Sequence, residues 1–151
     1  MIFMAKHELS KAEWLDKAEG YCARSEHCAA DVRRKLFEWG ADSDLFDEIE
    51  QKLYERDFLN DARFCRAYVH DKVAYQSWGR MKIQAGLRAL NLPEKEIREA
   101  LDGIDETVYS RNLRALIASR RADSEEKRMR FLLQRGFTYE EAKGEGREAK
   151  G

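Results

Sequence analysis

Apolar residues recur every three to four positions along most of the chain, and no segment shows the sustained alternation of a half-buried strand. Three segments carry this helical pattern and then stop in the same way: VRRKLFEWG at 32–40, RMKIQAGLRALNL at 80–92 and KRMRFLLQRGF at 127–137. Leu36, Leu87 and Leu132 correspond, as do the helix-ending Gly40, Asn91 and Gly136. Six residues past each stop stand Phe46, Ile97 and Ala142, and thirteen past the first two stand Leu53 and Ile104. The leucines lie 51 and then 45 residues apart. Such spacing suits a repeating unit of three helices rather than the helix pairs of shorter solenoids.

Local signals place the helices. In the first unit Ser10 and Glu13 spell a capping box, followed by Trp14, Ala18, Tyr21 and Cys22 on one face. Ser25 is expected to cap a second helix bearing Ala29, Val32, Leu36 and Trp39, and Ser43 or Asp44 to begin a third with Phe46, Ile49 and Leu53 inward. In the second unit Asn60 caps a helix through Phe64, Cys65, Tyr68 and Val69. Ser77 precedes one with Ile83, Leu87 and Leu90, and Pro93 opens one with Ile97, Leu101 and Ile104. The third unit offers Val108, Leu113 and Ile117, then Asp123 and Glu126 as a capping box before Met129, Leu132 and Leu133. Thr138 and Glu141 begin a last helix that Gly144 and Gly146 are expected to interrupt. The expected divisions are 10–57, 58–104 and 105–143, with 144–151 as a frayed tail.

Composition agrees with an all-α fold. The chain has 151 residues, 43% of them hydrophobic and 38% charged, with a single proline and 9 glycines, so helix formers dominate. No stretch approaches the roughly 18 apolar residues that span a bilayer, and MIFMAKHELSKAEW lacks the long apolar run of a secretory signal. The expected address is the cytoplasm, with no membrane partner.

Charge is segregated although the net charge is only −1. Residues 61–90 hold six basic side chains against two acidic, and 108–137 hold eight against three. The stretches 42–57 and 94–106 reverse this, with seven acidic against two basic and six against two. Any one such helix is explained by a solvated face with i,i+4 pairs, as Glu94 and Arg98 could form. Recurrence with the repeat argues instead for a basic track that meets a phosphate backbone or an acidic protein surface. The candidate contacts are Arg33, Arg34 and Lys35; Arg63; Arg80, Lys82 and Arg88; and Arg128, Arg130 and Arg135.

Candidate chemistry is sparse. Trp14 and Trp39 sit at core spacing, and Trp78 beside Gly79 is open to either packing or base stacking. Cys22, Cys28 and Cys65 form no CxxC pair and read as buried or half-buried thiols rather than metal ligands. There is no glycine-rich phosphate loop, no HExxH and no nucleophile with an evident base, so neither catalytic residues nor a cofactor are expected.

Several motifs in order resemble the bacterial RecX regulatory proteins: DFLNDARF at 57–64, SWGRMKIQAGLRALNLP at 77–93 and RMRFLLQRGFTYEE at 128–141. The likeness runs from about Trp14 to Glu141. It implies three tandem three-helix repeats in a curved, elongated molecule. It also implies a non-enzymatic monomer that binds the RecA recombinase filament, and with it single- or double-stranded DNA, and restrains ATPase, strand exchange and co-protease activity. Two alternatives are a stand-alone basic nucleic-acid binder and a helical adaptor for an acidic protein. Gly86 and the closing GEGREAKG depart from the family pattern, and Gly86 is expected to weaken its helix by up to about 1 kcal/mol.

Overall fold

The computed structural model describes residues 8–150, with side chains through residue 146. Among them are nine α-helices and no strand: α1 Lys11–Arg24, α2 Ala29–Trp39, α3 Phe46–Glu55, α4 Asp61–Gln76, α5 Arg80–Ala89, α6 Glu94–Asp102, α7 Glu106–Ser119, α8 Glu125–Gln134 and α9 Tyr139–Lys150. A 3₁₀ turn over Ser43–Leu45 leads into α3. The chain divides into two compact units, the first ending at Phe64 and the second beginning at Cys65, so the division falls inside α4.

In the first unit α1, α2 and α3 pack on one another. Their inward faces supply Trp14, Leu15, Ala18, Cys22, Val32, Leu36, Phe46, Ile49 and Leu53, joined by Leu59, as one buried cluster. In the second unit α5 packs on α6, and α7, α8 and α9 pack on one another. Val69, Val73, Ile83, Leu87, Ile97, Leu113, Leu132, Phe137 and Ala142 are buried there. Apolar burial of this kind, about 25 cal/mol per Å², is the main stabilising contribution in each unit.

The repeated stop has one geometry. Gly40, Asn91 and Gly136 all take positive φ, at 89°, 62° and 100°. The amide one residue beyond each donates back to the corresponding leucine carbonyl: Ala41 to Leu36 at 2.9 Å, Leu92 to Leu87 at 3.2 Å, and Phe137 to Leu132 at 3.1 Å. This 6→1 bond satisfies a carbonyl that the helix end leaves open, and it requires a residue tolerant of left-handed backbone. Glycine and asparagine meet that requirement most readily.

Helix starts differ from expectation in three places. The second helix is capped at Cys28, where Asp31 accepts from the Cys28 amide at 3.4 Å; Ser25 instead ends α1. The 3₁₀ turn into α3 begins at Ser43, as read, but its cap is Asp42, which accepts from the Asp44 amide at 2.9 Å. Ser124, not Asp123, caps α8 by accepting from Lys127 at 3.1 Å, while Asp123 faces Arg120 and Lys127. The box at Ser10/Glu13 forms as read, Thr138 and Glu141 at the start of the last helix exchange the same reciprocal bonds, and Asn60 accepts from the Arg63 amide at 2.9 Å.

The last helix is not short. α9 passes through Gly144 and Gly146 to Lys150, so the expected end at residue 143 is not observed and no break marks the glycines. A helical glycine costs about 1 kcal/mol relative to alanine, which the Thr138 cap, buried Ala142 and the Arg114–Glu145 ion pair at 3.2 Å can offset.

Gly86 is likewise no defect. A Cβ at this position would collide with the Tyr68 hydroxyl and stand 3.1 Å from its Cζ, so the missing side chain is what lets the partly buried Tyr68 ring lie against α5.

Candidate functional site

The basic side chains singled out in the sequence are already engaged by neighbouring groups. On α2, Arg33 donates to Asp47 at 2.5 Å and to Glu50 at 2.7 Å on α3, and these bonds raise its pKa. Arg34 pairs with Asp31 and Glu38 along its own helix, and Lys35 with Glu38 at 3.5 Å. At the start of α4, Arg63 binds Glu26, which is the main cause of its raised pKa, and also meets Asp57 at 3.1 Å and the Asp57 carbonyl at 3.0 Å.

The second unit repeats the arrangement. Arg80 pairs with Glu106 and with Glu141, and its guanidinium carbon sits 4.1 Å from the centre of the buried Tyr109 ring. Tyr109 in turn accepts from the Arg80 amide at 3.0 Å, and burial raises its pKa. Arg88 makes a two-pronged contact with Glu94, at 2.6 and 3.1 Å. Arg128 donates to the carbonyls of Arg120 and Asp123 at 3.4 and 3.2 Å, closing the end of α7. Arg135 donates to the Gln76 carbonyl. Lys82 lies 4.3 Å from the Trp78 ring centre, with Lys72 at 4.5 Å from the same ring. Arg130, two-thirds exposed, has a single loose pair with Glu126 at 3.9 Å.

These contacts separate two roles. Arg33, Arg63, Arg80 and Arg135 fasten one element to another, whereas Arg130 and Lys82 are the least constrained of the candidates. Outside the candidate set, the side chains of Arg66, Arg111 and Arg121 are among those that make no hydrogen bond or ion pair with the described residues. Arg66 and Arg111 flank a groove of about 630 Å³ between α4, α6 and α7, floored by Val69, Val73, Ile104 and Val108. Sequence alone ranks paired and unpaired arginines alike, because charge counting carries no information about a carboxylate on another helix.

The tryptophans are covered. Trp14 is buried, Trp39 packs on the first core with the Lys17 ammonium 4.4 Å from its ring, and Trp78 lies against two lysines. Stacking on bases would require displacing these groups. Cys22, Cys28 and Cys65 are buried, and none of them is in a disulfide.

One local arrangement was not visible as a pair of motifs. Ser25 Oγ stands 3.0 Å from His27 Nε2, and His27 Nδ1 stands 3.3 Å from Asp31 Oδ2, so a hydroxyl, an imidazole and a carboxylate do line up. Asp31 also receives the Cys28 amide and faces Arg34, and the His27 ring stacks on Tyr21 at 3.8 Å. The group therefore braces the turn from α1 into α2, a sufficient structural reason for the geometry.

Known proteins place the chain. A family model described as RecX, second three-helix domain, matches residues 60–101. The regulatory protein RecX of Chlorobaculum tepidum is 32% identical over 139 residues, covering 88% of this chain and 86% of that protein. That of Herminiimonas arsenicoxydans is 27% identical over 128 residues, covering 82% and 83%. The crystal structure of RecX from Lactobacillus salivarius superposes with a TM-score of 0.74 over 91% of this chain and 95% of that one; at 20% identity this likeness speaks to the fold. With helices alone among the described residues and a relative above 30% identity along most of its length, the chain belongs to the RecX family of regulatory proteins.

Proposed function

We propose that this chain is a non-enzymatic monomer that binds the RecA recombinase filament on DNA and restrains its ATPase, strand-exchange and co-protease activities. The observation that carries the reading is the 32% identity to a RecX regulatory protein across most of both chains. Tandem three-helix modules, taken as 10–57, 58–104 and 105 onward, suit a polymeric partner because several weak contacts to successive protomers add as avidity. Within the modules, Arg130, Lys82 and the unpaired Arg66, Arg111 and Arg121 are the proposed contacts. Arg33, Arg63, Arg80 and Arg135 act instead by fastening one element to another.

A stand-alone nucleic-acid binder fits less well. Most candidate cations have carboxylate or carbonyl partners, so a phosphate would have to displace an existing contact at nearly every position. Free single-stranded DNA is expected to bind weakly, with log affinity falling against log salt by about 0.7 per phosphate contacted.

The deciding experiment measures ATP hydrolysis by the cognate recombinase on single-stranded DNA with this protein at substoichiometric ratio. Suppressed hydrolysis and shortened filament lifetime are expected. Hydrolysis and lifetime both unchanged would overturn the reading.

A further inference from the structure

The helices α7, α8 and α9 enclose a cleft of about 580 Å³ that none of the contacts above explains. Its floor is aliphatic, formed by Ile117, Met129 and Leu132, with the small residues Ala118, Ala142 and Gly146 leaving it open. A Cβ added to Gly146 would meet nothing within 4 Å, so the emptiness lies directly over the α9 backbone.

The rim is cationic. Arg114 comes from α7, Arg121 from the turn that follows it, Arg128 from α8 and Lys143 from α9, against one lining carboxylate among the described residues, Glu125. Arg114 is paired with Glu145 and Arg128 closes the α7 end, whereas the Arg121 side chain has no hydrogen-bond or ion-pair partner among the described residues. Lys143 is exposed and lies 5.1 Å from the Tyr139 ring centre. Most of the candidate cations elsewhere are matched by carboxylates or carbonyls; here cations outnumber carboxylates around an apolar hollow.

We infer that this cleft docks an acidic peptide segment of a partner protein, one that inserts a bulky apolar side chain between Asp or Glu residues. Charge complementarity selects an anionic occupant, since the rim attracts carboxylates and repels a basic segment. The floor then distinguishes peptide from nucleic acid. Among the described residues no aromatic ring lines the cleft, so a base would find no stacking platform there, while methionine and branched aliphatic side chains adapt readily to an inserted Leu or Phe. Acidic residues flanking an apolar anchor match a concave apolar floor with charged edges, the arrangement common to helix-in-groove recognition. The volume accommodates one or two large side chains, which fits a short linear segment rather than a folded domain.

The experiment uses the full chain and a fluorescein-labelled 15-residue amphipathic peptide, with Leu and Phe on one helical face and Asp and Glu on the other. Fluorescence anisotropy is read in the absence of recombinase and DNA, so its outcome is independent of the proposed inhibition of filaments. Three results are expected: saturable binding to the wild-type chain, about tenfold or greater weakening by Arg121→Glu with Lys143→Glu, and a similar loss with Gly146→Leu. Gly146→Leu fills the hollow while improving helix propensity, so it decides the matter if the charge-reversed chain fails to fold. Replacing the peptide's Leu and Phe by Ser is expected to abolish binding. The inference is overturned if the wild-type chain does not bind the peptide, or if Gly146→Leu binds it as well as wild type. It is overturned equally if a 15-nucleotide oligothymidylate displaces the peptide and shows the same dependence on these variants.

Discussion

Gly79 and Gly136 meet backbone to backbone at the junction of α5 with the end of α8. The Gly79 amide donates to the Arg135 carbonyl at 2.8 Å, and the Met81 amide to the Gly136 carbonyl at 3.0 Å. A methyl group on Gly79 would overlap the Gly136 carbonyl, and one on Gly136 would lie 2.6 Å from the Lys82 amide nitrogen. Close approach, not turn geometry alone, is what these glycines supply.

Gly40 provides the matched control, because it shares the positive φ of Gly136 but has open space within 4 Å of where a methyl group would stand. Gly40→Ala is expected to cost about 1–2 kcal/mol from backbone strain alone. Gly136→Ala adds overpacking against backbone and is expected to cost about 3 kcal/mol or more. Urea unfolding followed by circular dichroism compares them, and equal losses would contradict the close approach.

The Tyr68–Gly86 contact predicts coupling. Gly86→Ala alone is expected to destabilise by about 1–2 kcal/mol, because the methyl group forces the Tyr68 ring aside despite better helix propensity. In a Tyr68→Phe background the hydroxyl overlap is gone, and the same substitution is expected to be neutral or stabilising. A double-mutant cycle reads the difference, and identical effects in the two backgrounds would refute it.

Arg80 and Arg130 are expected to part company. Arg80→Ala removes two carboxylate contacts and the stack on Tyr109, lowering stability by about 1–2 kcal/mol. Arg130→Ala is expected to stay within about 0.5 kcal/mol, as exposed i,i+4 pairs contribute little. Thermal melts of the two variants check this ordering.

Burial pushes the Cys22 and Cys28 thiols up to about 11 from an ordinary value near 9. Below pH 9 both folded and unfolded thiols are protonated, so stability is unaffected. Between pH 9 and about 11 the unfolded chain releases these protons first, and stability falls as pH rises, by about 2 kcal/mol per thiol at pH 11. Urea midpoints across this range should drop more steeply for wild type than for Cys22→Ala with Cys28→Ala.

The fold was legible where its causes are local. A leucine followed, four positions on, by a glycine or asparagine encodes each stop, because left-handed backbone is a property of the residue that adopts it. Cap positions shifted where another side chain took over the role, as Asp31 does for the start of α2. The purpose of Gly86 was hidden because Tyr68 stands a full helix earlier, and local propensity registers only the missing side chain. The candidate site suffered most. Arg33 finds Asp47 fourteen residues on, and Arg80 finds Glu141 sixty-one residues on, so only the assembled helices reveal which cations are engaged.

The built-in carboxylate partners also act as a filter on what this surface can hold. Wherever a cation is so paired, a stray polyanion must evict a tethered acid, and each evicted acid is left facing the intruder. A partner that brings lysines or arginines alongside its own acids can exchange ion pairs in both directions, leaving no like charges opposed. Pairing within the fold thus favours surfaces of mixed charge over uniformly negative ones.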